Sequence, residues 1–249
     1  ASISPSGRTV RYTLDQRGQV ISLADPIGGV VRLTYDNRQN LIAVSDQRGN
    51  TTSFSYDELS RPISERDPLG RSSSIAYDAN DNVVESEGRL GRRVRFNYDA
   101  LDRLTRASYI DAVVDYFYDA GSKLVRIDDT QGGQVSWSYD DASRVTGETT
   151  PAGVVNYSYN SAGQRVSMMA GGLPPVNYGF DLAGRVNSII QGAETFSIDY
   201  DVLSRRTSLR RPNGVTTVYS YDEVNRLVRL SHARADDPPI EAYEYKYSL

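Results

Sequence analysis

The stretch FNYDALDRLTRAS, residues 96–108, has an earlier counterpart in FSYDELSRPISER, residues 54–66, with an aromatic residue, a Tyr-Asp pair and an Arg in the same frame. The pair stands at Tyr35-Asp36, Tyr56-Asp57, Tyr77-Asp78, Tyr98-Asp99, Tyr118-Asp119, Tyr139-Asp140, Tyr200-Asp201 and Tyr221-Asp222. Two near-matches, Tyr159-Asn160 and Phe180-Asp181, fill the gap, so that successive steps are 21, 21, 21, 20, 21, 20, 21, 20 and 21 residues. A degenerate copy, Leu14-Asp15, lies one further step upstream. Self-similarity at a fixed period of this size is the mark of a repeat architecture.

The residues before each pair alternate apolar and polar, as in Phe54-Ser55-Tyr56, Phe96-Asn97-Tyr98, Trp137-Ser138-Tyr139 and Tyr219-Ser220-Tyr221. Period two is the signature of a strand with one apolar face. The Asp opens a turn, because its short carboxylate accepts hydrogen bonds from backbone N–H groups just ahead of it. Asn160 at one copy indicates that the turn needs the side-chain oxygen rather than the charge. Three residues after the Asp or Asn stands a Gly or small polar residue, Ser60, Asp81, Asp102, Ser122, Ser143, Gly163, Gly184, Ser204 or Asn225, suited to the left-handed backbone that closes a short loop. A second strand follows, as at residues 41–44, 124–127 and 227–230. A second turn ends it, as in Asp25-Pro26-Ile27-Gly28, Asp67-Pro68-Leu69-Gly70, Thr150-Pro151-Ala152-Gly153 and Arg211-Pro212-Asn213-Gly214. Each repeat is therefore a β-hairpin.

Of the 18 Tyr, nine occupy the pair position and four more, Tyr116, Tyr157, Tyr178 and Tyr219, lie two residues earlier on the same face. An isolated hairpin is marginal, so each must lay its aromatic row against its neighbours. Tyr offers a large ring whose hydroxyl still reaches water or backbone. The expectation is an all-β array of antiparallel hairpins forming a curved or spiralling sheet, continuous over residues 1–249 as one domain. Both ends cut through a repeat, at Pro5-Ser6-Gly7 and at residues 245–249, and neither has the polar capping unit that a solenoid needs, so the chain reads as a segment of a longer protein. Two irregularities, residues 168–175 and 231–240, read as loops inserted at hairpin tips.

The net charge of -4 arises from 28 basic and 32 acidic residues spread along the repeats, which gives no electrostatic case for a nucleic-acid partner. There is no Cys, and no stretch has the apolar length of a membrane-spanning helix. The carboxylate pairs Asp128-Asp129, Asp140-Asp141 and Asp236-Asp237 fall at hairpin tips, where neighbours point apart instead of flanking a glycosidic bond. Asp78-Ala79-Asn80-Asp81-Asn82 begins like a calcium loop, but Val83 stands where the Gly belongs and Arg89 where the bidentate Glu belongs. His232 is the single histidine and lies in an irregular segment. No catalytic, cofactor or metal site is expected, and the chain reads as a non-enzyme.

The unit Y-D-x-x-x-R-L, followed by D-P-x-G and an aromatic strand, resembles the YD repeat of the Rhs family. It is carried by Tyr98-Asp99 with Arg103-Leu104 and by Tyr56-Asp57 with Arg61 and Asp67-Pro68-Leu69-Gly70. Its relatives include bacterial Rhs polymorphic toxins, the C components of Tc toxins, wall-associated proteins and teneurins. The resemblance implies a β-ribbon spiralling into a hollow shell around a toxin region, in a bacterial protein delivered to the cell surface or beyond. Its partners would be the remaining repeats and the toxin region of the parent protein. The family's self-cleavage motif has no counterpart here: Asp67-Pro68-Leu69-Gly70-Arg71 matches only the repeat's own turn. An alternative is a binding module whose exposed Tyr and Arg rows contact a glycan or protein surface.

Overall fold

The computed structural model describes residues 2–3, 9–234 and 238–247. The expected turn at Pro5-Ser6-Gly7, the pair Asp236-Asp237 and the last two residues lie outside them. The described residues contain strands and turns and no helix. They fall into two compact units, Ala1–Ser122 with Ile127–Gly132, and Lys123–Arg126 with Gly133–Leu249.

In the first unit the strands Thr51–Tyr56, Ser72–Tyr77 and Arg93–Tyr98 each end on the Tyr of a pair. Each turns back into a shorter strand, Pro62–Arg66, Val83–Glu87 or Leu104–Ser108. Pairing is antiparallel throughout, as in Phe96↔Ala107 and Asn97↔Arg106, followed by a one-residue shift that sets Tyr98 opposite Leu104. The second unit repeats the plan: Gly153–Tyr159 turns into Arg165–Ala170, Glu194–Tyr200 into Arg206–Arg210 and Val215–Tyr221 into Leu227–Arg234.

The turn explains the shift. Asp99 N–H donates to the Arg103 carbonyl and Asp102 N–H to the Asp99 carbonyl, a tight turn closed by one residue in left-handed conformation, whose extra residue makes a bulge. All nine left-handed positions expected from the sequence have positive φ, from 57° at Asp102 to 80° at Gly163. Gln39, at 71°, occupies the same position although its type does not announce it. The second turns use the same device, with Asp25 Oδ1 accepting from the N–H groups of Ile27 and Gly29 and Gly28 at φ 92°.

Alternation sorts the side chains. Along Ser72–Tyr77 every second residue is half-buried and the others are exposed. Small polar groups meet on the opposite face, as where the Ser55 and Ser64 hydroxyls lie 2.6 Å apart. Neither unit contains a conventional core: Ala107 is the one fully buried apolar side chain among the described residues. The accessible surface of 16829 Å² compares with about 11,000 Å² for a compact protein of this mass. Stability must therefore come from contacts between neighbouring hairpins.

Both irregular segments differ from expectation. Met168 and Met169 belong to the strand Arg165–Ala170, because the turn takes up only the five residues 171–175 before the strand Val176–Phe180, with Gly171 and Gly172 both at positive φ. His232 likewise sits within the strand Leu227–Arg234, extended by the seven-residue partner Val215–Tyr221, in register with Thr217.

The left-handed turn position gives a direct test. A Cβ at Gly163 would meet only Arg144 Nη1, at 3.7 Å, so the cost of Gly163→Ala is that of holding an L side chain in the left-handed backbone at φ 80°. The substitution is expected to lower unfolding stability by about 1 kcal/mol in chemical denaturation; an unchanged midpoint would contradict the turn assignment.

Candidate functional site

The side chains with chemistry converge on one motif, repeated along the edge where the pairs turn. Asp99 Oδ1 accepts from the N–H groups of Leu101 at 2.9 Å and Arg103 at 3.1 Å, fixing the turn. Its Oδ2 takes Arg103 Nε at 2.8 Å and Nη2 at 2.7 Å, so the guanidinium is aimed by its own turn. From there Arg103 crosses to the next repeat: Nη1 donates to Ser122 Oγ at 3.0 Å, and the guanidinium carbon lies 4.7 Å from the Tyr118 ring centroid. Tyr118 reaches back, its hydroxyl donating to the Leu104 carbonyl at 2.9 Å. Asp aims Arg, Arg covers the next Tyr, and that Tyr bonds the residue immediately after the Arg. The result is a closed clasp between consecutive repeats.

The same circuit recurs. Asp57 holds Arg61, which stacks over Tyr77 at 4.5 Å, while Tyr77 bonds the Pro62 carbonyl. Asp140, Arg144, Tyr159 and Val145 form another, as do Asp181, Arg185, Tyr200 and Val186. Asp201, Arg205 and Tyr221 follow, closing on the Arg206 carbonyl. Asp222 and Arg226 find Tyr247, whose hydroxyl bonds the Leu227 carbonyl. Lys123 replaces Arg over Tyr139 at 5.3 Å, and Tyr139 bonds the Leu124 carbonyl. Tyr35, Tyr56 and Tyr98 keep the hydroxyl bond, to Val20, Leu41 and Val83. In the turns before Tyr56 and Tyr98, Asn40 and Asn82 bond the Oδ2 of Asp36 and Asp78.

Most of the paired Tyr and Asp positions are thus assembled into clasps, and the sequence places Arg in the repeat unit without showing that it joins one repeat to the next. The signal was available inside the chain. Arg recurs four residues after Asp, and at the one copy where Asp becomes Asn160 the Arg becomes Gln164, with Asn160 Nδ2 donating to Gln164 Oε1 at 2.8 Å. Asn160 therefore shows tolerance of Asn beside Gln, not beside Arg.

The other candidates are placed as follows. Asp140 is a clasp residue, and Asp129 Oδ1 accepts from Gln131 N–H in a turn. Asp78 Oδ1 accepts from the N–H groups of Asn80 and Asn82. His232 Nδ1 lies 2.8 Å from the hydroxyl of fully buried Thr217, which also receives Arg211 Nη1 at 2.7 Å. Among the described residues no group of three His, Cys, Asp or Glu side chains is arranged to hold a metal ion.

The family profile described as RHS Repeat matches residues 35–72, 77–114 and 118–155. No curated protein matches the chain in sequence. Solved structures do match in fold. A crystal structure of TcdB2-TccC3 aligns over 97% of this chain and 18% of its own, with TM-score 0.52 and 14% identity. TcdB2-TccC3 without its hypervariable C-terminal region aligns over 95% and 18%, also with TM-score 0.52 and 14% identity. The Photorhabdus luminescens Tc holotoxin pore with the TccC3-D651A mutation aligns over 92% and 17%, with TM-score 0.50 and 14% identity. The chain thus spans less than a fifth of the length of these neighbours.

The Arg103 guanidinium holds the Asp99 carboxyl below the ordinary carboxylate range, and Arg144 and Arg185 do the same for Asp140 and Asp181. A depressed carboxylate stabilises fully above its unfolded pKa of about 3.9 and loses that contribution as pH falls through its lower folded value. Asp99→Asn is accordingly expected to lower stability at pH 7, with the gap to the unmodified chain narrowing once pH drops below about 3.9. A gap independent of pH in denaturation series would contradict the ion-pair role.

Proposed function

We propose that the chain, which carries three matches to the RHS Repeat profile, is a wall segment of an Rhs-type shell that encloses or presents a toxin region lying elsewhere in the parent protein. The observation that carries this reading is the clasp. Its Tyr hydroxyls are committed to backbone carbonyls, and its Arg groups bridge to the following repeat, so the chemically capable side chains of the pair edge work between neighbours. That is the economy of a wall, in which each unit exists to hold the next.

The fold shared with the TcdB2-TccC3 structures supports the reading at the level of architecture. Delivery out of a bacterial cell and the remaining repeats as partners belong to the same proposal. The alternative, a Tyr platform for glycans, finds less support. The hydroxyls of Tyr56, Tyr98 and Tyr139 are engaged with the Leu41, Val83 and Leu124 carbonyls, and Arg covers the rings of Tyr77, Tyr118, Tyr159 and Tyr200.

Protease protection in the full-length parent protein tests the enclosing role. The region outside the repeats is expected to resist a protease that digests the same region expressed alone. Digestion at equal rates in both settings would contradict enclosure.

A further inference from the structure

One joint in the second unit lacks the clasp at several points together. Asn160 stands for Asp, Gln164 for Arg, and Phe180 for Tyr, so the carboxylate, the guanidinium and the phenol are all missing between one repeat and the next. Gln164 still donates its Nε2 to the Gly184 carbonyl at 2.9 Å. Phe180 has no hydroxyl to offer the carbonyl of Arg165, which holds the repeat position of Val145 and Val186, the residues that receive the Tyr159 and Tyr200 hydroxyls.

The strands that meet at this joint are also thinly paired. Arg165–Ala170 and Val176–Phe180 are in register only at Ser167↔Asn177 and Met168↔Val176. The corresponding strands on one side share four pairs, from Gly147↔Asn156 to Thr150↔Gly153, and on the other side four, from Ser188↔Ser197 to Gln191↔Glu194. The far end of the joint is closed by Gly171 and Gly172, both at positive φ, followed by Pro174 and Pro175. The prolines supply no N–H for a ladder. Both ends of one strand pair are therefore weakened, and the contacts described across it include two backbone pairs, the Gln164 bond and Arg165 over Tyr178 at 5.3 Å. On either side, Asp140 with Arg144 and Asp181 with Arg185 form complete clasps.

We propose that the joint between Arg165–Ala170 and Val176–Phe180 is a built-in seam, the place where this array opens or bends first while the repeats on either side stay paired. In a repeat array stability is a sum of units and interfaces, so the weakest interface sets the lowest opening free energy. The simultaneous change at 160, 164 and 180 makes the weakness a property of the joint as a whole, since each altered residue removes a different part of one circuit.

Hydrogen–deuterium exchange on the complete chain tests this. Peptides spanning residues 165–178 are expected to exchange faster than those spanning 145–158 or 186–197, and a protease is expected to cut first within 171–175. The triple change Asn160→Asp, Gln164→Arg and Phe180→Tyr rebuilds the clasp and should slow exchange across the seam by about ten-fold, the scale of one recovered hydrogen bond with one cation–π contact. Phe180→Tyr alone, which adds only a hydroxyl, should act in the same direction to a smaller extent. Exchange across 165–178 no faster than in the flanking joints, or unchanged in both variants, would overturn the proposal.

Discussion

A hairpin of two short strands does not hold itself in water, and here all but the hairpin begun at Phe180 among those with a described predecessor depend on a phenol that reaches back to a carbonyl of the hairpin before it. That single bond sets the rest of the geometry. It fixes how far the Tyr ring lies over the preceding strand, and so where a cation must sit to cover the ring. It also fixes which turn must aim that cation. Asp, four residues before the Arg, is the group that does so, and the same carboxylate shapes the turn through its other oxygen. One short side chain thus serves both the local fold of a repeat and its attachment to the next.

The chain's composition follows from this arrangement. With almost no fully buried apolar side chain, burial is shared thinly along the sheet. Tyr suits a half-buried face, since its ring contributes apolar contact and its hydroxyl is satisfied by backbone. Arg suits the bridge, because a planar fork can bond a carboxylate along one edge, donate to the following turn and stack on a ring. Lys123 retains the stacking cation, while the Asn40 and Asn82 joints rest on side-chain amides and the Tyr bond. The Phe180 joint is the place where the phenol itself is missing.

Much of the fold was legible because it is local. The period, the strand pairs, the turn-forming Asp and the left-handed positions are each written within a few residues. Gln39 escaped because nothing in its type marks a left-handed residue, and its conformation is imposed by the turn that Asp36 nucleates. The placement of His232 and the two Met residues went astray because strand length is decided by the partner strand and by how few residues the turn needs. The clasp was read only in part. Tyr and Asp were visible as a pair, but the Arg joins them across a turn and then across a strand, and its contact with the next Tyr lies some fifteen residues on in the chain. Such a partner is found in sequence by following how three positions change together, as they do at Asn160, Gln164 and Phe180.

The central claim is that stability resides in the interfaces between neighbouring repeats. Equilibrium unfolding of a series of chains shortened from the C-terminal end by one repeat at a time tests it most directly. The account predicts that stability falls in similar steps with each repeat removed, with the remaining repeats still folded and antiparallel by spectroscopy. Loss of all structure on removal of one repeat, or stability independent of repeat number, would contradict it.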